Sequence, residues 1–332
     1  MPLTQRNLPV PAPSLALVAL SVAGIVLASD VVLQRSPAHV RSRRRGLVPP
    51  VLRDSPLAEQ STVTAARRLN RAAGTLAASV FADSAVEHYR GSFKNKAMLT
   101  PLIVSALSIA TSVHGTNDRR PLAHVARDAT YILAAITGLI GTGFHFYNVG
   151  KRTGGFSWQN LFYGAPLGAP FAILLSGLIG FCSERVRETS RWKVPRIFRL
   201  PAGRTMAGVI GAGLLGTTAE AGLLHFRGAF HNPLMLLPVT LPPVGALLMG
   251  SAAAGPPGRN LFFARWFLRI LTAMGFAGSA LHAYGVSRNM GGWRNWSQNV
   301  LNGPPIPAPP SFAGLALAGL AALGLMDDHP DA

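Results

Sequence analysis

Charge is what this chain has least of. Only 13% of its 332 residues are charged, where a soluble domain carries about 25%, so an ordinary water-facing surface cannot be built from it. Acids are the scarcest: 13 Asp+Glu stand against 31 Lys+Arg, a formal net charge of +18. The single cysteine, Cys182, excludes an internal disulfide framework, a cysteine zinc site and an iron–sulfur cluster. No strand precedes Gly211-Ala-Gly213-Leu-Leu-Gly216, so this spelling of the dinucleotide fingerprint lacks the context that gives it meaning. Serine, histidine and acid nowhere assemble into a hydrolase triad, and independent catalytic activity is not expected.

In place of charge there are long apolar runs, the first of them Leu15–Ser29. A basic, apolar chain of this kind points to the lipid bilayer rather than to nucleic acid. A helix crosses the hydrocarbon core with about 20 mostly apolar residues. Nine stretches qualify: Pro13–Ser29, Asn70–His88, Met98–His114, Ala129–Tyr147, Leu161–Cys182, Met206–Phe226, Leu234–Ala252, Asn260–Tyr284 and Pro310–Met326. The expected fold is all-α and polytopic, with about nine transmembrane helices. One set of alternate loops, including Arg43–Arg45, Arg119, Arg120 and Arg185–Arg199, holds more than twice the Lys and Arg of the other. The positive-inside rule then puts the N-terminus outside and the C-terminus in the cytoplasm, with a bacterial plasma (inner) membrane as the expected location. The first run has only Arg6 before it and an arginine cluster after it, so it reads as an uncleaved anchor rather than a signal peptide.

The strongest pattern is internal. His88-Tyr-Arg-Gly-Ser-Phe-Lys-Asn-Lys-Ala-Met-Leu-Thr-Pro101 matches His225-Phe-Arg-Gly-Ala-Phe-His-Asn-Pro-Leu-Met-Leu-Leu-Pro238 without a gap, 137 residues on. The same offset carries Gly138, Gly141, His145 and Tyr147 onto Gly275, Gly278, His282 and Tyr284. After a two-residue insertion, Pro166 and Pro170 answer Pro305 and Pro309. The chain thus reads as a tandem duplication of a four-helix unit: an anchor (residues 1–30), an Arg-rich cytoplasmic linker (31–69), unit 1 (70–205) and unit 2 (206–332). An even number of spans per unit makes the repeats parallel, about an axis along the membrane normal.

Four histidines, His88, His145, His225 and His282, fall at the outer ends of their spans. Paired imidazoles on facing helices are how bundles hold haem iron or another metal. The symmetry is expected to bring His88 near His225 and His145 near His282. Gly141 and Gly278 belong to stripes of small residues that either let helices approach closely or make room for a flat ring. Asp83 and Glu220 occupy equivalent places inside the bilayer, where an acid is costly and marks a functional candidate. These features are read first as a redox subunit that passes electrons through haem b or a quinone near the outer face, to an extracytoplasmic or membrane redox partner. Two rivals stand beside it. One is a transporter or channel whose path runs between the repeats past Asp83 and Glu220. The other is a cofactor-free subunit that docks a partner on its Trp, Gly and Pro-rich outer loops.

Overall fold

The computed structural model describes residues 56–189, 193–197 and 199–329, with side chains from residue 61. The first apolar run, most of the Arg-rich linker and Asp331 lie outside the described residues. The chain is helical, with one two-residue hairpin, β1 (Arg196–Ile197) and β2 (Leu200–Pro201), paired antiparallel midway along. Six of its helical segments are long and apolar enough to cross a membrane: Lys96–Asn117, Val125–Gly150, Gly168–Arg187, Ala202–Arg227, Pro233–Ala254 and Pro310–Asp328. The protein is a helical integral membrane protein.

Among the described residues, five helices precede the hairpin: α1 (Pro56–Arg90), α2 (Thr100–Asn117), α3 (Val125–Gly150), the short α4 (Trp158–Tyr163) and α5 (Gly168–Arg187). Five follow it: α6 (Ala202–Arg227), α7 (Leu237–Ala254), α8 (Phe262–Arg288), the short α9 (Trp296–Asn302) and α10 (Pro310–Asp328). Both α2 and α7 are entered through a 3-10 turn, Lys96–Leu99 and Pro233–Leu236, capped by the side chain of Asn95 or Asn232.

Two boundaries differ from those read in the sequence. Helix α1 begins at Pro56, well before Asn70, so the Arg-rich linker does not extend to residue 69. Arg67, Arg68 and Arg71 made this stretch look solvated, yet Ala, Leu and Arg are all good helix formers. Arg71 is buried, and Arg67 Nε donates to the Thr116 carbonyl at 2.6 Å. The span read from Leu161 starts instead at Gly168. Gly164 ends α4 in an extended conformation with the Asn160 carbonyl too close for a side chain, and Pro166 follows.

Within the first five helices, α1 packs on α2, α2 on α3, α3 on α5, and α5 back on α1. The succession α6, α7, α8, α10 closes in the same way. In each bundle the first and third long helices are therefore diagonal neighbours. The two bundles meet where α10 lies along α1 and α5 touches α6. Most of α5 and α10 is buried in the protein, while the other apolar helices leave most of their surface to lipid.

Close approach explains the glycine stripes. A Cβ at Gly275 would lie 2.6 Å from the Ala313 amide nitrogen, and one at Gly278 would lie 2.7 Å from Pro309 Cβ. Gly138 and Gly141 meet Leu174 and Pro170 in the same way. Side chains and backbone of α5 and α10 occupy the space beside these glycines, so the stripes serve helix packing.

The main core sits toward the half of the bundles away from the four histidines, the inner half in the orientation expected from the sequence, around Leu69, Ile179, Ile210, Met249, Leu268 and Leu323. Beyond it a smaller cluster of Val80, Val104, Ala134, Ala172 and Ile173 continues the first bundle, and burial then thins on several helices. Helix α6 has no fully buried residue past Leu214, and α3 has none between Gly138 and Val149. Helix α8 has none between Gly275 and Val286. The four histidines stand where α3, α6 and α8 carry few fully buried residues, and all four are half-buried.

Candidate functional site

Each outer-end histidine is held by the same device. His88 ends α1, where the next residues turn back through Ser92 and Phe93, both at positive φ, and the Phe93 amide donates to the His88 carbonyl at 3.0 Å. That turn brings the Met98 carbonyl to 2.6 Å from His88 Nδ1. Ala229 and Phe230 make the same turn after His225, and the Met235 carbonyl lies 2.8 Å from His225 Nδ1. On α8, His282 Nδ1 reaches the Pro305 carbonyl at 2.7 Å, and on α3 His145 Nδ1 reaches that of Pro166. Loop folding of one kind underlies the last two bonds. Buried Asn160 donates to the carbonyls of Thr153 and Gly155, and Asn299 to those of Met290 and Gly292.

A carbonyl can only accept, so the proton of each neutral ring sits on Nδ1 and its Nε2 keeps a lone pair. An imidazole whose far nitrogen donates to a backbone carbonyl is oriented as metal-ligating histidines are. The pairing differs from that expected. The His225 and His282 rings are 6.3 Å apart at 68°, and His88 lies within electrostatic reach of His145. Helices α1 and α6 do not pack along their lengths, so each histidine meets the diagonal partner of its own bundle instead of its counterpart in the other.

Asp83 stands within electrostatic reach of Glu220, as symmetry suggested. Their surroundings differ. Glu220 accepts the backbone amides of Leu167 and Gly168 and so caps the N-terminus of α5, where a carboxylate satisfies orphan donors and meets the helix dipole favourably. Helix α10 follows Pro307-Ala308-Pro309 and has few amides to offer. Asp83 makes no hydrogen bond or ion pair among the described residues.

A second constellation went unread in the sequence. At the inner end of the first bundle, Arg127, Glu184 and Arg187 are almost wholly buried. Arg127 binds Glu184 and Asp118, each at 2.8 Å. Arg187 approaches Glu184 and donates to the carbonyls of Gly115 at 2.7 Å and Asp118 at 2.8 Å, which closes the C-terminus of α2. The network continues toward the membrane interior: Ser183 accepts from Asn70 at 2.8 Å, and Tyr131 donates to Asn70 at 2.5 Å and meets Ser112 at 3.1 Å. Asp118 lies just past α2; partial burial would raise its pKa, but hydrogen bonds from Arg120 and Arg127 outweigh that and hold its carboxyl well below the ordinary range.

None of this recurs in the second bundle. At the offset established above, Asn70, Ser112, Arg127 and Tyr131 give way to Ala207, Met249, Ala264 and Leu268. Glu184 and Arg187 give way to Leu323 and Met326. That mismatch between otherwise similar halves was the signal in the sequence that marks the network.

No protein family, no characterised protein and no solved structure matches the chain.

Proposed function

We propose that the chain is a membrane electron-transfer subunit in which each of two duplicated, parallel four-helix units holds one haem b between its two outer-end histidines. The observation that carries this reading is the fourfold Nδ1–carbonyl bond, which leaves Nε2 of each ring with its lone pair, with His225 beside His282 and His88 within electrostatic reach of His145. Three further facts support it. Among the described residues no three His, Cys, Asp or Glu gather as a metal site. A pair of imidazoles is too few for a structural zinc, which takes four ligands, but is the full axial set of a haem. The His225–His282 separation is 6.3 Å. The diagonal helices that carry each pair do not pack along their lengths, and the stretches around the histidines on α3, α6 and α8 hold few fully buried residues.

A bound haem would supply one-electron iron chemistry. The chain's own contribution is to fix each imidazole through its carbonyl, to set its tautomer, and to hold the site near one membrane face in apolar surroundings. On this reading the chain has nine spans, the N-terminus outside and the histidine ends facing outward. Its electron partner would be extracytoplasmic or in the membrane, and a quinone would be the natural exchange partner. The test is the visible spectrum of full-length protein produced with ample haem and purified in detergent. Reduced-minus-oxidised bands of six-coordinate haem are expected, with His282→Ala and His145→Ala each removing the signal of one unit. A colourless wild-type protein refutes the haem assignment.

One observation favours a transport path instead, namely an unpartnered Asp83 facing Glu220 across the two units. Proton or cation flux in liposomes that Asp83→Asn abolishes, from a protein without haem bands, would select that reading.

A further inference from the structure

At the inner end of the second bundle, the place filled by ion pairs in the first is hollow. A cavity of about 130 Å³ opens between the last turn of α7, the first turn of α8 and the end of α10, with Arg204, Arg259, Leu261, Met326 and Asp327 among its walls. The replacements named above explain it. Ala264 and Met326 stand for Arg127 and Arg187, Leu323 stands for Glu184, and Gly255 stands for Asp118. Both acids of the first network are gone, while Arg204 stands where Arg67 does and Arg259 adds a positive charge where the first unit has Leu122. Arg259 Nη1 donates to the Ser251 carbonyl and hydroxyl, and Arg204 Nη1 to the Ala253 carbonyl, so both arginines close the C-terminus of α7 much as Arg187 closes that of α2. Asp327 faces the cavity but is paired with Arg265. Arg259 forms no ion pair among the described residues. The first turn of α8 adds its helix dipole to the positive field, although the Phe262 amide already donates to Asn260 Oδ1 at 2.9 Å.

We infer that this cavity binds an anionic phosphate group, which takes the electrostatic place that Glu184 and Asp118 hold in the first unit. Guanidinium groups match phosphate oxygens in geometry as well as charge, and basic pockets between membrane helices on the cytoplasmic side are where acidic headgroups dock. The apolar edge made by Leu261 and Met326, at the very end of the spanning helices, suits the headgroup of an acidic phospholipid whose tails lie alongside. A soluble phosphate is the other source of the same chemistry. The comparison of the two units belongs to the duplication reading, whereas the cavity and its arginines do not depend on it or on any cofactor.

The test uses the full-length protein, stripped of lipid in detergent and supplied with phosphatidylglycerol, phosphatidylcholine or inorganic phosphate. Phosphatidylglycerol should raise the unfolding temperature of the wild type by several degrees and phosphatidylcholine should not. Arg259→Gln should cut that shift at least severalfold, while Arg269→Gln, whose guanidinium lies over the Trp266 ring outside the cavity, should retain it. An Arg259-dependent shift with inorganic phosphate supports the site and identifies a soluble anion as its ligand. A phosphatidylglycerol shift undiminished in Arg259→Gln overturns the inference. A measurement that needs no variant is native mass spectrometry of the wild type, where retention of phosphatidylglycerol over phosphatidylcholine is expected and equal retention counts against the site. Neither readout involves a haem, so a colourless protein leaves this inference standing.

Discussion

Replacing Gly275 by alanine tests the helix packing at a contact made largely with backbone. The added Cβ would sit 2.6 Å from the Ala313 nitrogen, 2.9 Å from its Cβ and 3.0 Å from the Pro309 carbonyl oxygen. Carbon atoms in contact prefer about 3.5–4.0 Å, so α8 and α10 must part by about 1 Å. Two of the three clashing atoms are backbone, and no side-chain rotation relieves them. Overpacking of this kind costs about 1–3 kcal/mol, here at the upper end, against a helix-propensity gain of about 0.5–1 kcal/mol for removing a glycine. The net expectation is a loss of about 2 kcal/mol. Gly143→Ala and Gly250→Ala are the controls, because a Cβ at either meets nothing within 4 Å. Thermal unfolding in detergent should show Gly275→Ala well below wild type, with both controls at or above it. If Gly275→Ala unfolds with the wild type, α8 and α10 are not in register as described, and the argument from the glycine stripes collapses.

Three other outcomes follow from the same structure. Glu184→Leu strands Arg127 and Arg187 and should cost about 3–5 kcal/mol, whereas combining it with Arg127→Ala and Arg187→Met, which installs the residues of the second unit, should recover much of that loss; a silent single variant in thermal unfolding would deny the network its energetic coupling. Asp118 has a folded pKa below its unfolded value of about 3.9, so it stabilises the fold above that value and the contribution is lost as pH falls through and below the carboxylate range; the acid limb of a stability-against-pH curve should flatten in Asp118→Asn. Cysteines placed at Lys94, Arg152, His231 and Asn289 in a Cys182→Ser background should all react with an impermeant reagent from outside intact cells, and labelling of these sites from the cytoplasmic side alone would invert the proposed orientation.

What the sequence made legible follows from what each physical cause writes into it. Spans such as α6 and α10 were found to within a few residues, because an uninterrupted apolar run is the only way to solvate a helix in lipid. The start of α1 was missed for the opposite reason. Its arginines look like solvent-facing charge, and only the fold reveals Arg71 buried and Arg67 spent on the Thr116 carbonyl. The histidines were located by the 137-residue register, but a register says which residues are equivalent and not which are neighbours. Neighbours depend on the order in which helices close each bundle, and that order put His282 beside His225. Glu184 was passed over because it is one acid in an arginine-rich helix end, where its surroundings read as a solvated loop.

The two halves of the chain, set against each other, divide the molecule by role. At the outer ends they agree down to single bonds: the same turn with two residues at positive φ, the same asparagine caps on the 3-10 turns, the same Nδ1–carbonyl bond at all four histidines. At the other ends they share the bond from Arg67 or Arg204 to the carbonyl of Thr116 or Ala253, but one adds a buried ion network to it and the other adds Arg259 around a hollow. Capping a helix end is a task with many chemical solutions, so on the duplication reading two copies would be free to solve it differently. Holding an imidazole at a fixed tautomer and angle has few. The place where the copies still agree is therefore the place where geometry is demanding, and in this molecule that is the pair of histidines in each outer half.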